Sequence, residues 1–365
     1  MDASAFLRQE KSLLLAAIVG ATAYFLEHAV LGTGRAGSLI AAAFLVAIIV
    51  LVSVRVARHA ENLATKVGDP YGTMILTLSA VAVEVIILAI IMQSAHSPTL
   101  VRDTIYAAVM LDINGILGLA ALLGGLKHGE QPYNDDSGKT YGVMILTAMG
   151  ISMIVPEFIP AAKWHYYSAF TICAMIALYA LFLRMQVGQH SYFFSYTYPR
   201  AETGRQGTDT GHAGDRTAVS IATILIGVVV IGILAEFMST FLTSGLEGTA
   251  APPVLTAIVV ATISAAPEIV AALRAALKNR MQATVNIALG ASLSTVILTV
   301  PVMEAIALYT GQPFVMAMTP VQTVVVAITL IAAAINLNDG ETNAIEGMTH
   351  FILFATFIML SALGV

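Results

Sequence analysis

The chain is a succession of apolar stretches, each near twenty residues long and divided from the next by a short polar segment. A helix needs about 20 residues to cross ~30 Å of hydrocarbon, so each stretch reads as one membrane span. Runs bounded by Gly, Pro and charge fall at 12–31, 38–57, 71–92, 101–125, 141–160, 164–186, 218–243, 252–276, 283–309, 317–337 and 343–364. The expected fold is therefore an all-α polytopic membrane protein of about eleven transmembrane helices. Composition excludes the alternative: 58% of residues are hydrophobic and 11% charged, against roughly 25% charged in a soluble domain. The first run is too long for a signal peptide, lacks a small-residue cleavage pattern and contains Glu27 and His28, so it reads as a span.

Charge placement orients the chain. With the N-terminus in the cytoplasm, fourteen of the 17 Lys and Arg residues fall inside, and only Arg35, Arg102 and Lys163 lie outside. The expected location is the bacterial inner membrane, multi-pass, with a cytoplasmic N-terminus and a periplasmic C-terminus. Lipid is the expected partner and no nucleic acid is; the oligomeric state is left open. The single cysteine, Cys173, rules out an intramolecular disulfide and a thiolate metal cage, and it reads as a packing residue.

The longest polar stretch, 187–217, contains His190 and His212 among mixed charges and reads as a solvated cytoplasmic linker rather than a regulatory metal site. It divides the chain into a leading helix (1–35), a first five-helix set (36–186) and a second five-helix set (218–365). Aligned on Thr104 and Thr284, the stretch through Asp112 and Asn114 parallels that through Ser292 and Ser294. An odd number of helices per set makes this an inverted repeat, an architecture that builds a binding site at the bilayer midplane.

Two carboxylates sit where they are hardest to accommodate. Glu84 lies about three residues from the middle of its span and Glu268 about four, within roughly 6 Å of the midplane at 1.5 Å per residue. An intramembrane acid either shares a hydrogen bond between helices or serves an ion path, and two in matching sets favour the path. Pro267 cannot donate to the carbonyl of Ile263, so the helix is expected to break beside Glu268 and free an oxygen ligand for a hard cation. By symmetry a break is also expected beside Glu84. Both carboxylates bind either metal or protons, and that competition is itself an exchange mechanism. Asp112 and Glu236 are further candidates. Glu27, Glu157 and Glu304 lie near the outer span ends and read as structural.

Several motifs resemble those of the cation/proton exchanger branch of the Ca²⁺:cation antiporter superfamily, in particular its bacterial Ca²⁺/H⁺ (also Na⁺/H⁺) antiporters. Glu61-Asn62-Leu63-Ala64-Thr65-Lys66-Val67-Gly68 is similar to the family's Glu-Glu-Leu-Ala-x-Arg-Leu-Gly. Ala276-Leu277-Lys278-Asn279-Arg280-Met281 resembles its Ala-Leu-Lys-Asn-Lys-Met, and Gly290-Ala291-Ser292-Leu293-Ser294 its Gly-Ser-Ser-Ile-Gln. Asp339-Gly340-Glu341-Thr342-Asn343 through Glu346-Gly347 resembles the approach to its last helix.

The resemblance implies one leading helix and two inverted five-helix repeats, with Glu84 and Glu268 as the metal and proton carriers. It also implies Asn114, Ser292 and Ser294 as neighbouring oxygen donors and Glu61 and Glu236 on a cytoplasmic path. The activity it implies is exchange of cytoplasmic Ca²⁺ for external protons by alternating access, with no cofactor; Na⁺ or K⁺ exchange through the same site is the alternative. Ala80-Val81-Ala82-Val83-Glu84 and Ser264-Ala265-Ala266-Pro267-Glu268 depart from the family's Gly-Asn-Ala-x-Glu, and Ile269 replaces a frequent His, so selectivity is the open question. An intramembrane enzyme with paired carboxylates lacks a water-activating motif here, and a channel would need no proton gradient.

Overall fold

The computed structural model describes residues 10–67, 71–95, 97–188, 190–196, 213–249, 254–312 and 314–364. In chain order the helices are α1 (Lys11–Gly32), α2 (Arg35–Val67), α3 (Tyr71–Ala95), α4 (Leu100–His128), α5 (Asp135–Phe158) and α6 (Trp164–Val187). The second half contributes α7 (Ala213–Leu246), α8 (Val254–Ser264), α9 (Ala266–Leu277), α10 (Met281–Thr310), α11 (Pro320–Asn336) and α12 (Ala344–Leu363). Among the described residues eight helices are long and apolar enough to span a membrane, and α8 with α9 makes a ninth, bent by 58°. Two shorter apolar helices, Leu78–Ile90 within α3 and Pro320–Asn336, stand at the third and tenth expected spans.

Some boundaries differ from expectation for local reasons. α2 continues through the charged stretch Arg55–Lys66, because Arg and Lys are good helix formers whose polarity signals a membrane edge rather than a helix end. α5 starts six residues early, since Asn134 accepts the amide of Asp136 as an N-cap and Asp135 and Asp136 favour the first turn. Ser191–Phe194, expected in the solvated linker, is docked instead. Asn134 and Asn286 donate to the carbonyls of Tyr192 and Phe194, and Phe194 meets Tyr141 and Phe182 edge-on. Cys173, expected to pack, is exposed on the outward face of α6. His212 lies outside the described residues.

α4 is buried along most of its length, and α10 packs along it. Around this pair, α2 lies along α7, α8 and α9 lean on the two ends of α4, and α12 covers its second half. The α4–α12 contact depends on missing side chains. A Cβ at Gly125 would stand 2.3 Å from the amide nitrogen of Ala344, and one at Gly347 would stand 2.1 Å from that of Leu122. Close backbone approach at small residues is how helices associate in lipid, where apolar burial supplies no driving force between them. A two-residue antiparallel pair, Gln131–Pro132 with Glu341–Thr342, ties the end of α4 to the start of α12. It was not expected from sequence.

At the same end of the bundle Glu10, 2% exposed, joins α1 to α2 and α7. Arg55 donates to both its oxygens at 2.8 and 2.6 Å, and His59 lies 3.1 Å from it while reaching Ser220. Burial acts to raise the Glu10 carboxyl, but the Arg55 hydrogen bond and the charges of His59 and Arg55 outweigh it, so the group stays below its ordinary value. A depressed carboxylate stabilises fully above its unfolded pKa of about 4.3 and ceases to as pH falls through the lower folded value. The protection factor for amide hydrogen exchange at the first turn of α1 is thus expected to fall only below about pH 4; equal protection on both sides of that range would refute the latch.

The α4–α12 contact gives a second expectation. Gly347→Ala should destabilise the protein by about 3 kcal/mol, the upper part of the range for overpacking, because backbone rather than a flexible side chain must yield. Thermal unfolding in detergent measures it, and an unchanged midpoint would contradict the contact.

Candidate functional site

Three carboxylates converge on one small pocket at the centre of the bundle. Glu84 reaches it from α3, Asp112 from α4 and Glu268 from α9, and Ala80, Ala108, Ser264, Ala291, Ser294 and Thr295 complete most of the wall. The free volume is about 30 Å³, room for roughly one water or one ion stripped of most of its hydration. Among the described residues no Lys, Arg or His lines it.

Each acid is held by a different local device. Glu84 is 6% exposed, and its Oε2 accepts from the hydroxyls of Thr295 at 3.0 Å and Thr299 at 3.1 Å; its Oε1 has no partner. α3 runs unbroken through Glu84, so the break expected there by symmetry is absent. Without a Pro or Gly nearby the backbone has no reason to open, and α10 supplies hydroxyls instead.

At Glu268 the expected break is present. The chain leaves helix at Ala265, Pro267 occupies the first turn of α9, and Glu268 sits in that same turn. The Pro ring explains the 58° bend, and it leaves the Ile263 carbonyl without its helical donor. The start of α9 carries the positive end of the helix dipole, which favours a carboxylate. Oε2 of Glu268 is sealed from solvent and unpartnered.

Asp112, 2% exposed, accepts from Ser292 Oγ at 3.3 Å and lies within electrostatic reach of both glutamates. It sits in a π-helical segment, Leu111–Leu117, and Thr295 opens another, Thr295–Thr299. Such segments turn side chains away from the regular helical face and recur at functional sites. Among the described residues no group of three His, Cys, Asp or Glu closes into a metal cage. The acids share a pocket without converging on one fixed point.

The other candidates separate clearly. Ser294 lines the pocket, its hydroxyl donating to Gly290 and Ala291 carbonyls and keeping its lone pairs available. Ser292 acts through Asp112. Asn114, expected as an oxygen donor, is turned away: it donates to Thr329 at 2.8 Å and accepts from His350 Nδ1 at 2.8 Å, bonds that join α4 to α11 and α12. The spacing accounts for this, because residues two apart on a helix point to nearly opposite sides. Glu236, expected on a cytoplasmic path, is exposed in a groove between α1 and α7 with Glu27 and lies off the pocket. The side chain of Glu61 lies outside the described residues. Thr295 and Thr299 were not singled out from sequence; the clustering of Ser292, Ser294, Thr295 and Thr299 on one apolar helix was the available signal.

Comparison with known proteins identifies the family. A family model described as sodium/calcium exchanger protein matches residues 37–188 and 219–363. The chain belongs to the sodium/calcium exchanger family. The sodium-potassium/proton antiporter ChaA of Escherichia coli is 32% identical over 309 residues, 83% of this chain and 84% of that one. A Ca²⁺/H⁺ antiporter of Aphanothece halophytica is 24% identical over 318 residues, 82% and 83% of the two chains. The solved structure of native YfkE superposes with a TM-score of 0.71 at 19% identity, covering 93% of this chain and 99% of that one, and establishes the shared fold.

In this exchanger-family chain, Thr299→Val keeps shape and removes one donor to ionised Glu84. A hydrogen bond to a charged group contributes about 1.5–3 kcal/mol, so any cation held by that carboxylate should bind roughly tenfold more weakly. Calorimetric titration of the purified protein tests this; unchanged affinity would remove Thr299 from the site.

Proposed function

We propose that this chain is a secondary active antiporter, not an enzyme, that moves cytoplasmic Ca²⁺ out in exchange for external protons at the Glu84–Asp112–Glu268 pocket. The observation that supports it is three carboxylates facing about 30 Å³ of space with no basic side chain on the wall. Uncompensated charges in a dry interior are prohibitive, so the pocket must hold a cation or protons at every stage. Binding metal requires ionised carboxylates and protonation expels it, which couples the two fluxes without a resident cofactor.

The division into a leading helix and two five-helix sets, supported by the two separate family matches, provides alternating access by rocking one set against the other. The placement of Lys and Arg supports an inner-membrane protein whose sheet-bearing end faces the cytoplasm, with the N-terminus inside and the C-terminus in the periplasm. The second reading, Na⁺ or K⁺ exchange at the same pocket, is favoured by the 32% identity to a sodium-potassium/proton antiporter. Val81 and Ala265, where the related family has Asn, favour it too, since fewer oxygen ligands suit a lower charge.

Everted vesicles with an imposed pH gradient test both readings. Ca²⁺ is expected to dissipate the gradient at the lowest concentration, and Glu84→Gln, Glu268→Gln and Asp112→Asn to reduce exchange at least about a hundredfold, as loss of a positioned proton carrier does. Dissipation by Na⁺ or K⁺ alone would transfer the site to monovalent cations. Wild-type rates in Glu84→Gln or Glu268→Gln would defeat the assignment.

A further inference from the structure

A fourth intramembrane acid lies outside the central pocket. Glu304, near the end of α10, is 2% exposed. Its Oε1 faces the hydroxyls of Ser168 at 3.2 Å and Thr171 at 3.3 Å on α6, while Oε2 has no partner. The Thr171 hydroxyl is already committed to the Tyr167 carbonyl at 2.7 Å, so Ser168 is the effective donor. From sequence this residue reads as a snorkelling or hydrated acid; the structure instead buries it between helices.

Beside it lies a separate cavity of about 190 Å³, lined by Glu304, Tyr167, Trp164, Pro156 and the segment Phe314–Ala317. That is room for roughly six waters at ~30 Å³ each. Its rim reaches exposed Val315 and half-buried Trp164 and Phe314, at the end of the bundle opposite the strand pair. On the orientation proposed above, that end faces the periplasm.

The charged and titratable groups around it supply no counter-ion. Tyr167 donates its hydroxyl to Ile151. Arg102 stands behind the wall, bonded to the Ala317 carbonyl and paired with Asp103. Glu157, Lys163 and His165 are exposed at the rim. A lone buried carboxylate without a partner charge is strongly unfavourable, and one monovalent cation neutralises it whereas a divalent ion would leave net charge behind. Hydroxyls and open water beside a single carboxyl suit the smallest such cation, the proton.

We propose that Glu304 and this cavity form an outer proton-loading site, distinct from the central pocket, that takes protons from the external solution and supplies them for exchange. Five residues, about 7.5 Å of rise, separate Glu304 from Thr299, which holds Glu84. The two side chains leave α10 on different sides, one toward α6 and one toward α3. No direct bond therefore joins the two sites, and the outer one rests on the antiport reading for its use but not for its chemistry.

Proteoliposomes with fixed internal pH and varied external pH test it. Glu304→Gln is expected to exchange near the wild-type rate at acid external pH and to fall roughly tenfold below it at alkaline external pH, where a positioned proton donor matters most. With external pH held acid and internal pH varied instead, its profile should match wild type. A Glu304→Gln profile parallel to wild type at every external pH would overturn the proposal. A second measurement does not depend on that variant or on antiport: infrared difference spectra of the Glu84→Gln/Asp112→Asn/Glu268→Gln protein. A buried carboxyl band that responds to external pH and shifts in Ser168→Ala supports the site. A band that ignores either change refutes it, whether or not the wild type moves cations.

Discussion

Inside hydrocarbon every backbone amide and every charge must find its partner within the protein, and the rest of this structure follows from that constraint. It makes the described chain almost wholly helical and confines irregular backbone to positions enclosed by other helices. The departures inside the spans are few: the break at Ala265 and π segments at Leu111–Leu117, Gly150–Ile154 and Thr295–Thr299. Three of these four carry or adjoin the carboxylate pocket. The same constraint explains the glycine contacts of α4 and α12, since a central helix that must aim an acid inward can be held only by neighbours that approach its backbone closely.

The two halves solve the problem of a buried glutamate in different ways. Glu268 is placed by a broken helix whose first turn favours negative charge, whereas Glu84 stays on a continuous helix and relies on two threonine hydroxyls from the opposite half. Asp112 has Ser292 at its counterpart position, and the two are hydrogen-bonded to each other. Inverted repeats thus bring equivalent positions face to face, and divergence at one of them converts a symmetric pair into a donor and an acceptor. The third carboxylate of the pocket comes from that divergence.

Much of this was legible in the sequence because the signals were local. Run lengths placed the spans, Pro267 announced the break, and the depth of Glu84 and Glu268 marked them as unusual. What was not legible depends on rotation about a helix axis. Asp112 and Asn114 are two residues apart and so lie on nearly opposite sides of α4, one at the pocket and the other on His350 and Thr329. Periodicity separates the pair but does not say which of the two faces the pocket. Glu236 stands off the pocket for a related reason: depth in the membrane could be counted, but the side of α7 on which it falls could not, and it faces α1. Glu10 sits ahead of the first span, where only the folded chain reveals that Arg55 and His59 enclose it.

The presence of three acids also recasts the question of which ion is carried. Calcium exchanged for two protons and sodium or potassium exchanged for one are each charge-neutral at the pocket, and both can be accommodated by three carboxyls that differ in how many are ionised at once. The distinction between the readings then lies in how strongly the acids resist joint ionisation, not in which residues bind. Charge balance then calls for two ionised carboxylates around a divalent ion and one around a monovalent ion. Removal of a single donor, such as Thr299 beside Glu84, acts on the ionised form alone and therefore bears on the ion carried as well as on how tightly it is held.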